Sequence, residues 1–349
     1  MQKRQDVVVI GGGVAGITVA ANLAQRGMGV ALVERQSTLG GNATAVCCKA
    51  VGGECQLCGG CLLADGLATL DGLTNVQRLM ETTVTQVKRV AGGFCVELAQ
   101  PDAVTSVEAG AVILATGFDH VDAHTKGPYG YGILPAVTTG QEMERRLKEQ
   151  GQGAYDHLNG QRVAFIQCVG SRDEHVGRGY CSQVCCRYAL RLARLLKKRL
   201  PDVQISVFKM DIQTSGRDFG PTWDAITRDG MRFVAGLPAI IRRSTENPAS
   251  VTFLYDDILA GQIVQEDFDL VVLSVGMQPR RDAGQMAELL GINRDAYGFF
   301  ATRADEASTI VPGVFVAGSC AAPRSIAESV AHAQQAAEAC YLYLQEKGS

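Results

Sequence analysis

The sequence predicts an α/β protein of two Rossmann-like domains, in which the second domain is inserted into the first. Three observations support this prediction. The chain opens with a buried strand that runs into a glycine turn and a helix, a second strand-and-helix unit begins near residue 161, and the chain closes with a strand followed by a helix. The order of these units indicates one domain whose sequence is interrupted by another.

The first domain begins with the strand–helix–strand order of dinucleotide-binding domains. Residues 6–10 read as a buried parallel strand, and a helix follows that extends to residue 25. Residues 28–33 form the second strand, which ends in Glu34. An acid at this place accepts a hydrogen bond from the adenosine ribose, so the pattern predicts a dinucleotide-binding turn.

The glycines of the fingerprint, Gly11, Gly13 and Gly16, follow the first strand and open the helix. Gly11 allows a tight turn, Gly13 lets the backbone approach a pyrophosphate, and Gly16 lets helix and strand pack closely. The N-terminus of the helix then faces the phosphates with free N–H groups and a partial positive charge. A nucleotide is therefore expected at this turn.

Later elements set the expected domain boundaries. The predicted elements are, in chain order, a strand at 111–115, a strand at 161–168, a helix from about 180 to 200, strands at 204–208 and 270–275, and a last strand in "VPGVFVAGSC" with a helix beginning near Arg324. We assign residues 1–145 and 271–349 to the first domain and residues 146–270 to the inserted domain.

Composition restricts the classes of function. The chain has 349 residues, 46% of them hydrophobic, and a net charge of −3, so we expect a globular protein that binds neither nucleic acid nor an acidic membrane surface. The apolar run at the N-terminus is too short for a signal peptide, and no stretch is long enough for a membrane span. A cytoplasmic location follows, where the twelve cysteines are expected to be metal ligands, redox groups or core residues rather than structural disulfides.

The glycine turn, the "ATG" after the strand at 111–115 and the closing "VFVAGS" resemble the flavoprotein disulfide reductase superfamily, which includes thioredoxin reductase and glutathione reductase. In that family the first glycine fingerprint binds FAD and a nicotinamide domain is inserted. The last helix aims its N-terminus at the isoalloxazine, and the usual acid after the final glycine is Ser319 here, which leaves its usual contact open. The resemblance implies FAD contacts from Gly11, Gly13, Ala15, Gly16, Glu34, Arg35, Gly41, Asn42, Val84, Thr116, Gly117, Gly318, Ser319 and Ala327.

The inserted domain lacks the glycine fingerprint that would bind a nicotinamide cofactor. After its first strand the sequence reads "IQCVGSRDEHVGRG", with Cys168 where the first glycine should be. Gly170, Gly177 and Gly179 do not have the required spacing, so no glycine turn is offered to a pyrophosphate. Direct NAD(P)H binding is therefore not expected, and electrons must reach the flavin by another route.

Four cysteines of the inserted domain, Cys168, Cys181, Cys185 and Cys186, are expected to meet at one point. Cys181 and Cys185 would share one face of the predicted helix, and Cys168 ends a strand from which a loop can reach the helix start. Four thiolates suit a [4Fe–4S] cluster or a structural zinc ion. Adjacent cysteines are awkward for one tetrahedral ion and easier for a cubane, which favours the cluster. Unliganded core or redox thiols are the third interpretation.

A second resemblance is carried by "FIQCVGSRDE", "YCSQVCCRYAL", "VVLSVGMQP" and "IAESVAHAQQAA", which together resemble the A subunit of heterodisulfide reductase. In that family the cysteine pattern matched by Cys168, Cys181, Cys185 and Cys186 ligates a [4Fe–4S] cluster. Methanogen versions carry an extra N-terminal domain and ferredoxin-like additions that this sequence lacks. The chain is therefore most similar to the short A subunit of the heterodisulfide reductase-like complex of sulfur-oxidising bacteria and archaea.

This resemblance implies a cytoplasmic electron-transfer subunit that contains FAD and a [4Fe–4S] cluster, forms a homodimer and works with other subunits of the complex. The disulfide or thiol substrate would then react on those partner subunits. Three alternatives stay open. They are a self-contained FAD-dependent thiol–disulfide oxidoreductase, a methanogen-type heterodisulfide reductase A subunit, and a scaffold that binds FAD and zinc without turnover.

A second cysteine group, "CCKAVGGECQLCGGC", follows "LGGN" and holds Cys47, Cys48, Cys55, Cys58 and Cys61. One interpretation is a second cluster, for which Cys47 or Cys48 would supply the fourth ligand. Another is a dithiol that faces the flavin, as in disulfide reductases of the glutathione type. The third is a group of packed cysteines without redox turnover, and the sequence does not decide among them.

The long predicted helix also carries a row of basic residues at helical spacing: Arg187, Arg191, Arg194 and Lys198. Such a row is most often a solvated face of a helix. A dock for an acidic electron-transfer partner is the alternative hypothesis.

Overall fold

A computed structural model of the chain describes residues 3–213 and 219–348. The strands are, in chain order, β1 (Lys3–Ile10), β2 (Val30–Val33), β3 (Val76–Leu79), β4 (Thr83–Val90), β5 (Gly93–Gln100), β6 (Ala103–Leu114), β7 (Phe118–His120), β8 (Val137–Thr139), β9 (Arg162–Val169), β10 (Gln204–Lys209), β11 (Arg232–Ala235), β12 (Pro238–Arg243), β13 (Val251–Asp257), β14 (Gln262–Phe268), β15 (Leu270–Val275), β16 (Met277–Pro279) and β17 (Val314–Val316). The α-helices are α1 (Val14–Gln25), α2 (Cys61–Asp71), α3 (Gly140–Gln150), α4 (Cys185–Arg199), α5 (Phe219–Arg228), α6 (Ala283–Leu290) and α7 (Ile326–Gly348).

The chain forms two compact units. The first unit comprises Met1–Thr44, Gly59–Asp119 and Gln278–Ser349, and the second comprises Ala45–Cys58 and His120–Met277. The sequence-based boundaries at 146 and 270 fall inside the second unit. β8 pairs in parallel with β15, which brings the chain before residue 146 into the sheet of the second unit.

The first unit is built on a seven-stranded sheet in the order β3-β2-β1-β6-β5-β4, with β17 also paired to β6. Strands β1, β2, β3, β6 and β17 are parallel, and β4 and β5 continue the sheet as antiparallel strands. Side chains of β1 alternate between two cores: Val7 and Val9 pack towards α1 and α7, and Val8 packs in the opposite core with residues of α6. Burial on both faces explains the continuous apolar sequence of β1.

The second unit has a five-stranded parallel sheet in the order β11-β10-β9-β15-β8 and a separate antiparallel sheet of β12, β13 and β14. Phe165 of β9 packs with Leu192 of α4 on one face, and Ile166 packs with Phe253 on the other. Two sheets of parallel strands covered by helices confirm the predicted α/β class with two Rossmann-like domains.

The helix predicted at 180–200 begins later than expected, and this corrects one argument about the cysteines. α4 starts at Cys185, because residues 170–184 form a loop in which Arg172 (φ 55°) and Gln183 (φ 60°) adopt the left-handed conformation. Cys181 therefore lies in the loop and not on the helix face that it was expected to share with Cys185. The loop, rather than helical periodicity, positions its thiol.

Candidate functional site

The glycine turn after β1 gives its three glycines different surroundings. A Cβ atom added to Gly16 would lie 1.8 Å from the carbonyl oxygen of Gly11, and one added to Gly11 would lie 2.5 Å from the carbonyl oxygen of Ala115. Both positions therefore require glycine for close packing of the backbone. Gly13 is the N-cap of α1, and a Cβ atom there would meet nothing within 4 Å. The open space beside Gly13 lies at the positive end of a helix, where an anionic phosphate is stabilised.

Glu34 follows β2 and is buried, with 7% of its surface exposed. Its Oε2 accepts a hydrogen bond from the Gly12 N–H at 2.7 Å, and its Oε1 accepts one from the Gln36 N–H at 2.8 Å. Each carboxylate oxygen has a second lone pair, so the side chain can also accept from a ribose hydroxyl. Glu34 thus fixes the shape of the glycine turn and remains available as an acceptor.

A second glycine segment closes on the same turn. The Gly40 N–H donates to the Gly12 carbonyl at 2.8 Å, and the Gly41 backbone lies so close to Gly13 that a Cβ atom added to Gly41 would be 3.3 Å from the Gly13 Cα. The Asn42 Nδ2 donates to the Phe118 carbonyl at 3.0 Å. The structure therefore brings the segment with Gly41 and Asn42 to the turn at Gly13.

The predicted cofactor-binding residues after β2, in β4 and in the turn after β6 lie in three different environments. Arg35 forms an exposed ion pair with Asp282 at 3.6 Å. Val84 of β4 is buried in the core beneath β1 and β6, and Gly117 has a φ of 74° after Thr116 with open space on its Cβ side. A role for these residues in cofactor binding stays a prediction.

After the closing strand β17, the backbone at Gly318 packs closely against helix α1. Gly318 has a φ of 76°, and a Cβ atom there would lie 2.6 Å from the Cβ of Ala15 in α1. Its N–H donates to Nδ1 of His332 at 2.9 Å, and Nε2 of His332 lies 2.7 Å from the Glu306 carbonyl. His332 therefore accepts at Nδ1 and donates at Nε2, and burial lowers its pKa, so the ring is held neutral.

Ser319, which stands in place of the expected acid, is buried and contacts the first turn of the last helix. Its hydroxyl lies 3.1 Å from the hydroxyl of Ser329, and it donates to the Arg324 carbonyl at 3.4 Å. α7 begins at Ile326 rather than at Arg324, with Ser325 and Glu328 hydrogen-bonded to each other's backbone N–H groups as a cap. Ala327 therefore lies in the first turn, where backbone N–H groups are free to meet a ligand.

The second unit brings its four cysteines together at the start of α4, and we call Cys168, Cys181, Cys185 and Cys186 the cysteine centre. Cys185 and Cys186 are the first two residues of the helix, and both are fully buried. The thiol of Cys185 is hydrogen-bonded to those of Cys168 and Cys186. Cys181 is half-buried and lies within electrostatic range of Cys168 and Cys186.

Hydrogen bonds within the cysteine centre shift the pKa values of its thiols. The hydrogen bond from Cys185 holds the pKa of Cys168 below its ordinary value and lowers that of Cys186 to about 7. As the donor to both, Cys185 has its pKa raised well above the ordinary value, and burial adds to that effect. Burial also raises the pKa of Cys181. The sulfurs of Cys168 and Cys186 are therefore easier to ionise than an ordinary thiol, and only ionised sulfurs ligate a metal.

The chain around Cys181 and Cys168 contains left-handed residues that are not glycine. Cys168 itself has a φ of 57°, and the Gln183 N–H, at a φ of 60°, donates to the sulfur of Cys181 at 3.3 Å. Ser182 is buried, its hydroxyl contacts that of Ser171, and it accepts from the Met277 N–H at 2.8 Å. Left-handed non-glycine residues cost energy and concentrate at functional sites.

Beside Cys168 lies an unpartnered amide. Gln167 of β9 is 1% exposed, and among the described residues neither its Nε2 nor its Oε1 has a hydrogen-bond partner. A buried amide without a partner costs about 1–3 kcal/mol. The amide N–H is a donor of the type that stabilises the sulfurs of an iron–sulfur cluster, so this orphaned group and the four cysteines are of the chemical types that such a cluster uses.

Residues 45–58, which we call the cysteine loop, hold most of the second cysteine group and belong to the second unit. Lys49 is 2% exposed and forms an ion pair with Glu144 of α3. On α4, Arg191 donates to the Leu57 carbonyl at 2.9 Å. The loop is therefore fixed to two helices of the second unit, whereas Cys61 starts α2 in the first unit.

Two negative findings concern the described residues alone. In ranges 3–213 and 219–348, no three histidine, cysteine or acidic side chains are arranged to hold a metal ion. No helix in the part of the chain that the structure describes is long and apolar enough to span a membrane.

The structure adds four residues that the sequence did not single out: His332 beside Gly318, Arg172 hydrogen-bonded to Cys168, Gln167, and Lys49. None has a spacing that marks it. In the sequence, Gln167 directly precedes Cys168 and Lys49 directly follows Cys48. Gln167 could have been noticed as a polar residue within a strand that is otherwise apolar and buried.

Comparison with known proteins gives the family. The model of the pyridine nucleotide-disulphide oxidoreductase family matches residues 5–338. The second of two iron–sulfur A subunits of CoB–CoM heterodisulfide reductase from Methanopyrus kandleri is 30% identical over 95% of this chain and 63% of its own length. The A subunit of the H2/formate:CoB–CoM heterodisulfide, ferredoxin reductase of Methanococcus maripaludis is 38% identical over 67% of this chain and 37% of its own length. This chain thus spans less than two thirds of these relatives.

Among solved structures, thioredoxin reductase of T. acidophilum matches with a TM-score of 0.65 and 19% identity over all of both chains. Thioredoxin reductase of Lactococcus lactis matches with a TM-score of 0.63 and 21% identity over 98% of this chain and 99% of its own. These confirm the predicted thioredoxin reductase-like fold, and the curated relatives confirm the resemblance to the A subunit of heterodisulfide reductase. The chain therefore belongs to the pyridine nucleotide-disulphide oxidoreductase family.

Proposed function

We propose that this oxidoreductase is the electron-transfer subunit of a cytoplasmic heterodisulfide reductase-like complex in sulfur oxidation, and that it contains FAD and a [4Fe–4S] cluster. The observation that carries the proposal is the cysteine centre, in which Cys185 is hydrogen-bonded to Cys168 and Cys186 at the start of α4 and Cys181 lies within electrostatic range. In this fold the corresponding strand-to-helix turn is the place for a second dinucleotide pyrophosphate. A thiolate centre at that place gives the second unit a different redox group.

FAD is assigned to the first unit, and the family and the thioredoxin reductase-like fold support it. The pyrophosphate would lie beside Gly13 at the N-terminus of α1, and Glu34 would accept from the ribose. When bound, the flavin takes electrons singly or in pairs and the cluster takes them singly, so the two together convert one kind of transfer into the other.

NAD(P)H is not assigned to the second unit. Cys168 stands at the end of β9 where the first glycine of a fingerprint would be, and a Cβ atom added to Gly170 would lie 2.3 Å from the side chain of Val121. The strand end is therefore packed against protein. Electrons are expected to be exchanged with partner subunits rather than with a nicotinamide.

Partners and substrate follow from the relatives. Their names describe subunits of heterodisulfide reductases, one of them an iron–sulfur subunit, and this chain spans 63% and 37% of the two proteins compared. We assign the disulfide or thiol chemistry to partner subunits, because the four thiols of the cysteine centre are committed to a cluster. A homodimer and a role in sulfur oxidation, rather than in methanogenesis, complete the proposal.

The test is anaerobic purification, followed by iron and labile-sulfide assays and electron paramagnetic resonance after dithionite reduction. Cys185→Ser should lose about four irons per chain and keep its FAD. Cys95→Ser, on β5 of the first unit, is the matched control and should keep both. Protein without iron, or rapid reduction of its flavin by NADH alone, would contradict the proposal and favour a self-contained thiol–disulfide oxidoreductase.

A further inference from the structure

The antiparallel sheet of β12, β13 and β14 in the second unit has one covered face and one open face. Side chains alternate between the two faces along each strand, and Ile241, Phe253 and Phe268 of the covered face belong to the apolar core beneath the sheet. The ring centroids of Phe253 and Phe268 lie 4.6 Å apart in that core. The covered face anchors the sheet, so substitutions on the open face remove no core packing.

The open face is apolar where an antiparallel sheet usually presents polar side chains to water. Leu254 of β13 is 39% exposed and Ile263 of β14 is 78% exposed. In the turn between these strands, Ile258 and Leu259 are 66% and 82% exposed. Adjacent exposed apolar side chains of this kind mark a site of contact with another protein. We call the outward-facing residues of this sheet and its turn the hairpin face: Ile240, Arg242, Leu254, Asp256, Ile258, Leu259 and Ile263.

Backbone hydrogen bonds fix the turn that carries two of these side chains. The Ile258 N–H donates to the Ala235 carbonyl at 3.1 Å, and the Gly261 N–H donates to the Asp257 carbonyl at 2.7 Å. Ile258 and Leu259 are therefore exposed in an ordered conformation. Placing them against another protein surface costs little further conformational entropy.

The hairpin face carries one charge of each sign, on either side of its middle. Arg242 is paired with Thr252 in the register, four residues from Asp256, so Arg242 and Asp256 lie about 13 Å apart along the strand direction. Leu254 lies half way between them. Both charged side chains are exposed, and within residues 3–213 and 219–348 neither forms an ion pair.

We propose that the hairpin face is the surface through which two copies of this chain form a dimer. A two-fold axis that crosses the strands beside Leu254 brings the Leu254 side chains of the two copies together. The same rotation sets Arg242 of each copy against Asp256 of the other. The face is thus complementary to itself, whereas a face with charges of one sign would repel a second copy.

The apolar side chains and the charges have different roles in this interface. Leu254, Ile258, Leu259 and Ile263 lose exposed apolar surface and supply affinity, and the two Arg242–Asp256 pairs fix the orientation of the copies. The inference deepens the homodimer of the proposed function by naming its surface, and it rests on that proposal for the existence of a dimer. It does not depend on which cofactors the chain binds.

The first test uses the apolar residues. Sedimentation velocity of the FAD-loaded full chain, over a range of concentrations, measures the dimer Kd. Ile263→Ser and Leu259→Ser should each raise that Kd at least about 10-fold, because each replacement removes apolar burial from both copies. Ile133→Ser is the matched control, since Ile133 is an isoleucine of the second unit that is 76% exposed outside the hairpin face, and it should leave the Kd unchanged.

The second test exchanges the charges. Arg242→Asp and Asp256→Arg each set like charges against one another, so each should raise the dimer Kd about 10-fold or more, and added salt should weaken the effect. The double variant again sets opposite charges against each other, in exchanged positions, and should recover most of the wild-type Kd. Bound FAD and the far-ultraviolet circular dichroism spectrum report that each variant is folded.

The outcomes separate this inference from the proposed function. A chain that stays monomeric at every concentration refutes the inference and leaves the hairpin face to a different protein. A dimer whose Kd is unchanged in Ile263→Ser and Leu259→Ser refutes the face, while the proposed homodimer stands. A double charge variant that dimerises no better than the single variants refutes the two-fold arrangement. Iron and FAD are counted on the same samples, so failure of the cofactor assignment is seen independently.

Discussion

Replacing Gly13 with alanine should separate cofactor binding from folding. Gly13 has a φ of −74° and a ψ of −177°, which alanine adopts readily, and the added Cβ atom would meet nothing within 4 Å. We therefore expect the free energy of unfolding of the apoprotein to change by no more than about 1 kcal/mol, the usual cost of alanine at a helix N-cap.

The affinity for FAD should fall much further, because the new methyl group occupies the space through which the backbone approaches the pyrophosphate. Loss of one hydrogen bond to a charged phosphate corresponds to about 1.5–3 kcal/mol, or about a 10- to 150-fold increase in Kd. Titration of the deflavinated protein with FAD, followed by flavin fluorescence, measures the affinity, and thermal unfolding of the apoprotein measures stability.

Two further glycine substitutions serve as controls, one expected to have no effect and one expected to destabilise the protein. Gly72 is the C-cap of α2 with a φ of −80°, and a Cβ atom there is 3.7 Å from its nearest neighbour, so Gly72→Ala should leave both properties unchanged. Gly16→Ala, whose Cβ atom would clash with the Gly11 carbonyl, should lose stability as well as FAD. Wild-type FAD affinity in Gly13→Ala would refute the assignment of the pyrophosphate to this turn.

Three other substitutions have expected outcomes. Gln167→Leu removes an unpartnered buried amide, so the apoprotein should unfold at an equal or higher temperature. If the amide donates to the proposed cluster, the reduction potential of that cluster should shift, and an unchanged potential would remove that role. Lys49→Met should destabilise the protein by about 3–5 kcal/mol because it leaves Glu144 unpaired, and the double variant with Glu144→Leu should recover most of this in denaturant unfolding. Since burial lowers the pKa of His332 from 6.5, the unfolded state binds more protons below that pH, so stability should fall as the pH drops below 6.5, by at most about 1.4 kcal/mol per pH unit; His332→Asn should lose this slope, and an unchanged slope would refute the assignment.

The first dinucleotide turn was predictable because short-range sequence determines it. The apolar run of β1, the three glycines and the acid after β2 each act within one strand–helix–strand unit, and the structure shows Gly11 and Gly16 in the close approaches that their spacing indicates. The position of α7 was two residues from its predicted start for the same reason.

The cysteine centre was predictable in composition but not in geometry. Helical spacing predicted that Cys181 would lie on the same helix face as Cys185. In the structure Cys181 lies instead in a long loop that contains left-handed residues. Such a loop leaves no periodic signal in the sequence. The hydrogen bonds that make Cys185 the shared donor depend on side-chain positions that only the folded loop defines.

The basic row on α4 shows how tertiary contacts change the meaning of a pattern. Arg194 and Lys198 both bind the buried carboxylate of Asp229, at 3.0 and 2.6 Å, and Arg191 binds the cysteine loop. Arg194 and Lys198, four residues apart on the helix, share this one partner. Their partners lie far away in sequence, so neither the solvated face nor the docking hypothesis anticipated these contacts.

The division of the chain between the two units also bears on biosynthesis. Every residue of the second unit precedes residue 278, whereas the sheet of the first unit is completed by β17 at Val314–Val316. During synthesis on the ribosome, the whole sequence of the second unit is therefore available before β17, one of the strands that pair with β6, has been made. The strand β6 therefore keeps an unpaired edge at residues 112–114 until β17 has been synthesised, and unpaired edges of apolar strands favour aggregation.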